Sequence, residues 1–309
     1  MLFTHRRNVV VVGLCLLGLA GSLGIQEAYA GDTKHIVLIA GPKSHGLGEH
    51  EYAKSVRLIK ALLDRAPNVK GIETEAYFDG WPNDPRALDR ASTIIIISDG
   101  EDGTGPTTFH APFMTDERMA ALALQMKRGC GLMTFHFSTF SPAKYASQML
   151  EWTGGYFDWQ SGHGEGGFFG ISNDDAHQKW HSAIRVLDAD VELVTPGHPV
   201  TRGVASFRMK DEFYYQLAFR DHDPRFRPIL RVPALSASPP DQVVAWAVQR
   251  KDGGRGFGTS TGHFFDNWRN DNYRKLILNA VVWSAGLPVP TGGVTSSYMN
   301  EDEVNAIAP

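Results

Sequence analysis

Histidine is the side chain through which this sequence could do chemistry near neutral pH, because a neutral imidazole both ligates zinc-type metals and moves protons. Three of the twelve histidines fall where runs that read as β-strands end: His45 after residues 35–40, His136 at the end of the run 131–137, and His263 after residues 257–261. In an open parallel sheet, ligands bind beyond the carboxyl ends of the strands. Imidazoles gathered there beside carboxylates form a donor set for a divalent ion, zinc being the candidate, with a position for water or substrate. His45, His136 and His263 are therefore the candidate metal ligands. The carboxylates on offer are Asp99, after the apolar run 93–98, and the pair Asp211-Glu212 ahead of Phe213-Tyr214-Tyr215. One of that pair could enter a site while the other anchors the chain or faces solvent.

Each of these residues also has a plainer reading. His45 could hydrogen-bond its own glycine-rich turn, and His136 and His263 could be satisfied core histidines. His50 sits in the first turn of an expected helix, exposed or packed there. His163, in Ser161-Gly162-His163-Gly164-Glu165-Gly166, is a second candidate base beside Glu212 or a loop decoration. His177, His181, His198 and His222 lie in polar turns. Trp81, Trp159 and Trp268 offer stacking faces for a sugar, with Asp99 as a polar contact, or else belong to the core.

The elements that must position these groups alternate along the chain. The run 35–40 is a buried strand ending in glycine. Tyr52, Val56, Ile59 and Leu63 recur at helical spacing, which predicts a helix over 49–65. Residues 73–78 read as a strand, and 93–98 as another, apolar on both faces like a central parallel strand. A helix from about Met119 to Met126 precedes the strand at 131–137. The middle, 138–240, is less regular, with strands expected at 183–187 and 228–232. Alternation returns with 243–248 and 257–261, and 273–285 is an amphipathic helix. This order predicts an α/β protein with a doubly wound, mostly parallel sheet, a three-layer sandwich. Residues 288–309 turn to Pro, Gly, Ser and acids and read as a surface tail.

Composition sets the outer bounds. A chain of 309 residues with 42% hydrophobic and 21% charged residues is an ordinary globular protein. Its net charge of −4, with no dense Lys/Arg block, leaves no footprint for a nucleic acid. Arg6-Arg7, an apolar run over 9–25 and the small-x-small sequence Ala28-Tyr29-Ala30 predict a cleaved signal peptide over 1–30, with an uncleaved anchor as the alternative. The adjacent arginines also admit a twin-arginine signal. The mature protein, from residue 31, is then expected in the periplasm or outside the cell, without a transmembrane segment. Cys15 leaves with the leader, so Cys130 is alone and forms no internal disulfide. It precedes an apolar strand, where a thiol is expected to be buried and inert.

Five pieces in order carry a resemblance: GPKSHGLGEHEY (41–52), HPVTRGV (198–204), DEFYYQLAF (211–219), GRGFGTSTGHFFDNW (254–268) and NYRKLILNAVVWSAG (272–286). Together they resemble the trehalose-utilisation (ThuA-like) family of the class I glutamine amidotransferase-like superfamily, over roughly residues 35–287. The resemblance implies a single flavodoxin-like domain over 31–287. In true amidotransferases the turn after the central strand carries a nucleophilic cysteine, and a catalytic histidine follows a later strand. His136 and His263 occupy those two positions here, which makes them the implied catalytic pair. The cysteine is missing, since Cys130 precedes its strand, so glutamine hydrolysis through a thioester is excluded.

The family is associated with catabolism of disaccharides oxidised at C3. The resemblance thus implies metal-assisted cleavage of 3-keto-sugar glycosides, by lyase or hydrolase chemistry, with Glu212 or His163 as base. The alternative is a non-catalytic carbohydrate-binding or scaffold module, for which the missing nucleophile costs nothing. Hydrolysis of an ordinary ester or glycoside is a third, plainer reading.

Overall fold

A strand buried on both faces sends alternate side chains to opposite layers. The computed structural model of the protein describes Met1 and residues 32–84, 86–101, 113–158 and 182–307. In it β1 (Lys34–Ala40) sends Ile36, Leu38 and Ala40 into one apolar core and Val37 and Ile39 into another. β3 (Ala91–Ile97) divides its isoleucines in the same way, Ile95 and Ile97 to the first core, Ile94 and Ile96 to the second. Helices α1 (Tyr52–Asp64) and α4 (Asp271–Ser284) close the first core. Helices α2 (Asp116–Lys127) and α3 (Ala146–Trp152) close the second. The result is the expected doubly wound, three-layer α/β sandwich.

Among the described residues the sheet has nine strands. Its parallel half runs β2 (Ile72–Tyr77), β1, β3, β4 (Gly131–Phe135), β11 (Arg255–Thr259). It continues through antiparallel pairs as β10 (Val243–Gln249), β9 (Phe226–Arg231), β6 (Ala183–Leu193) and β7 (Phe207–Tyr215). A short pair, β5 (Gly155–Tyr156) with β8 (Ala218–Phe219), stands apart. Because β1, β3, β4 and β11 are parallel, the loops that follow them meet at one edge of the sheet. They cross closely: a Cβ on Gly41 would lie 2.6 Å from the Cβ of Ser98.

Three expectations change. The first helix starts at Tyr52, because Glu49 bridges to Phe264 and His50 takes a left-handed φ of 45°. The strand β7 replaces what read as irregular chain, and β6 runs on to Leu193. The residues after Gly286 are not a solvated tail. Val289, Val294, Met299 and Val304 are buried in the first core, and α5 (Glu301–Asn305) is capped by Asn300 and tied to α1 through Lys54 and Glu301. Apart from Met1, the expected leader over 1–30 with Cys15 lies outside the described residues, as do Trp159 and His163. Among the described residues no helix is long and apolar enough to cross a membrane.

Candidate metal centre

Each loop at the carboxyl edge holds its histidine by a separate device. His136 directly follows β4 with φ 51°, a conformation uncommon for a side chain of this size. Its Nδ1 lies 2.7 Å from the carbonyl oxygen of Ser260, beyond the end of β11. A carbonyl only accepts, so Nδ1 carries the proton and Nε2 presents a lone pair. His263 follows Gly262, whose φ of 114° and lack of a side chain let the chain pass Phe135, where a Cβ would meet the ring at 2.1 Å. The amides of Gly262 and His263 donate to the two oxygens of Asp211, at 2.7 and 3.1 Å. The His263 carbonyl in turn accepts the His50 amide at 3.0 Å, which ties the first loop to the last.

The imidazoles converge. His50 Nε2 is 2.9 Å from His263 Nδ1 and 3.1 Å from His136 Nε2, and His136 Nε2 is 3.3 Å from His263 Nδ1. Glu212 Oε2 stands 3.2 Å from His263 Nδ1 and 3.6 Å from His136 Nε2. All four residues are buried. In a tetrahedral zinc site with Zn–N near 2.0–2.1 Å, neighbouring donor atoms are about 3.3–3.4 Å apart. The distances between these donors bracket that value, so the buried His50–His136–His263–Glu212 cluster could hold a divalent ion. The donor chemistry agrees, since lone pairs that face one another in the interior need a positive charge between them.

Electrostatics sort the members. Burial, and then the neighbouring His136, His45 and His263, push the His50 imidazole far below its ordinary value. Burial does the same to His136 against the pull of Glu212. For His263 burial also lowers the value, but the Glu212, Asp211 and Glu49 carboxylates outweigh it and raise the net. Burial alone would raise Glu212, but the His136 and His263 imidazoles beside it prevail, lower its value and hold it ionised. Burial pushes Asp211 up to about 7, although the amides it serves pull the other way. Tyr214 places its hydroxyl 2.8 Å from His136 Nε2, and burial followed by the Glu212 charge keeps that phenol protonated.

His50, rather than His45, meets the other two imidazoles. His45 lies in the half-buried turn before it, with its ring 3.6 Å from that of His50 and its Nδ1 2.7 Å from Ser44 Oγ. Its place is a second group, His45–His50–Asp99, at the side of the first. Asp99 Oδ1 accepts the hydroxyls of both Ser44 and Tyr52, each at 2.6 Å, and Tyr52 Oη lies 2.7 Å from His50 Nδ1. Of the acidic pair, Glu212 enters the cluster and Asp211 holds the chain. Trp268 is no sugar platform: it is 2% exposed, stacked on Phe135 and hydrogen-bonded to Ser55. Trp81 packs on Phe113 with Arg118 over its ring. Sequence reasoning missed His50, Tyr52 and Tyr214 as site residues, although all three lie inside the motifs GPKSHGLGEHEY and DEFYY.

The class is a doubly wound, mixed α/β fold in which the sharp turn after a central parallel strand carries a histidine rather than a nucleophilic cysteine. The ThuA family model, described as trehalose utilisation, matches residues 37–284, and the chain belongs to that family. Among solved structures, a ThuA-like protein from Bacteroides uniformis superposes with a TM-score of 0.55 at 14% identity, covering 82% of this chain and 92% of that one. Another from Parabacteroides merdae gives 0.53 at 14% identity, with 87% and 93% covered. At such identity these likenesses speak for the fold alone. Comparison with curated proteins gives no match.

Proposed function

We propose that this protein is an exported, metal-dependent enzyme of carbohydrate catabolism that cleaves 3-keto-sugar glycosides by lyase or hydrolase chemistry. The single observation that carries the metal dependence is the set of four buried donors at coordination spacing. His50, His136 and His263 would hold the ion, and Glu212, the fourth member of the cluster, would serve as the base. When bound, a divalent zinc-type ion supplies Lewis-acid stabilisation of negative charge on a substrate oxygen.

The substrate class rests on the family's association with carbohydrate and on chemistry that suits these residues. A C3 ketone acidifies the proton on C2. The Glu212 carboxylate, held ionised by its histidine neighbours, takes that proton. The C2–H electron pair becomes the C1–C2 double bond, the C1–O bond breaks, and the departing oxygen keeps its electrons and gains a proton. Tyr214, which retains its hydroxyl proton 2.8 Å from His136 Nε2, is the donor. Elimination alone is the lyase outcome; addition of water to the double bond completes a hydrolysis.

Metal analysis of purified protein, combined with turnover of a 3-keto glycoside before and after chelation, tests the proposal. Stoichiometric metal and chelator-sensitive release of the C1 group are expected. Sugar binding with neither metal nor turnover would replace the enzyme with a binding module. Export rests on the N-terminal pattern and is tested by intact mass from the envelope fraction. A product beginning at Gly31 is expected, and a cytoplasmic protein retaining Met1 overturns it.

A further inference from the structure

We propose that Tyr52 is a positioning residue: together with Asp99 it fixes the proton of His50 on Nδ1 and so aims the Nε2 lone pair into the cluster. As a statement about metal affinity this rests on the metal reading above; as a statement about a tautomer it does not.

A neutral imidazole carries one proton, and the partner of the remote nitrogen decides where it sits. The Tyr52 hydroxyl also has one proton. That proton goes to Asp99 Oδ1 at 2.6 Å, within the range of a charge-assisted O–H···O⁻ bond. The phenol oxygen has then only lone pairs to offer His50 Nδ1 at 2.7 Å, so Nδ1–H must be the donor. Nε2 is left as an acceptor facing His136 and His263. The chain Asp99–Tyr52–His50 is almost wholly buried, which strengthens each bond in it.

The contrast with His136 makes the relay testable. His136 is oriented by the backbone carbonyl of Ser260, which no side-chain substitution removes. The partner of His50 is a single phenol oxygen. Removing it leaves Asp99 still bonded to Ser44, so Tyr52→Phe does not strand the carboxylate.

Two measurements on the full chain decide the matter. Long-range proton–nitrogen NMR of the imidazoles in metal-free protein should show His50 protonated on Nδ1, and Tyr52→Phe should move the proton at least partly to Nε2. Titration with cobalt(II), read by its visible absorption, should show Tyr52→Phe weakened about 10–100-fold, the usual effect of removing a partner that orients a ligand. Asp99→Asn should reproduce the effect and serves if Tyr52→Phe folds poorly. The double variant should be no weaker than the worse single one, because both break one chain. His50 protonated on Nε2 in the wild type, or a Tyr52→Phe protein with unchanged tautomer and cobalt affinity, overturns the relay. A wild type that takes up no cobalt sinks the metal reading, while the NMR result still decides the tautomer.

Discussion

The two halves of the sheet supply the site in different ways. The parallel half contributes imidazoles from loops, at positions just past β4 and β11 and ahead of α1, with strained or glycine-assisted backbone that turns each ring inward. The antiparallel wing contributes from within a strand. Along β7, Asp211 and Phe213 point to one face and Glu212 and Tyr214 to the other, by the two-residue period of a strand. One face thus delivers the carboxylate and phenol to His136, while the other sends Asp211 to the amides of Gly262 and His263. Loops can bring several chain segments to one point; a strand can give adjacent residues opposite tasks without moving the backbone.

If the loop half holds the ion, its substitutions should have the largest effects. His50→Ala, His136→Ala and His263→Ala are each expected to lose bound metal and turnover of a 3-keto glycoside, with little change in melting of the metal-free form. Elemental analysis, steady-state rates and thermal melts check this. Full metal content in His50→Ala would return that residue to the turn and reopen the case for His45.

The wing offers a sharper test, because its neighbouring acids should fail in different measurements. Glu212→Gln keeps the shape but removes the proton acceptor, and is expected to lower turnover by about 10²–10⁴-fold with the fold retained. Asp211→Ala leaves the Gly262 and His263 amides without their buried acceptor, a loss of about 1–3 kcal/mol in urea unfolding. Equal losses of stability in both variants would remove the distinction.

The same contrast explains what was legible in the sequence. The strands β1 and β3 announced themselves as apolar runs, and with them the edge where His136 and His263 lie. The strand β7 did not, because Asp211 and Glu212 interrupt its apolar alternation at the very residues the site recruits. His50 was obscured by the helical periodicity that begins at Tyr52; only the pairing of Glu49 with Phe264 shows that the residues before it belong to a loop held by another loop. The C-terminal segment hid its packing because its buried residues, Val289, Val294, Met299 and Val304, are isolated among Pro, Gly and Ser. That packing predicts a moderate effect away from the site. Val304→Ala removes two fully buried carbons at about 0.8 kcal/mol each, and should lower the denaturant midpoint without touching metal content.

The smallest effect is expected at Cys130, at the opposite end of β4 from His136. The thiol is 2% exposed and its Sγ lies 3.3 Å from the carbonyl of Gly131. Burial pushes it up to about 12, against the pull of Arg128 and Arg250. The thiolate is the reactive species, so at pH 8 almost none is available, and access is closed as well. Iodoacetamide should therefore leave the folded protein unmodified and label Cys130 only in denaturant, as read by intact mass. Cys130→Ala should keep metal content and turnover, since the proposed chemistry lies at the far edge, in its loops and in β7. A large loss of turnover in a folded Cys130→Ala protein would mean that the two ends of β4 are coupled, and that the carboxyl edge does not act alone.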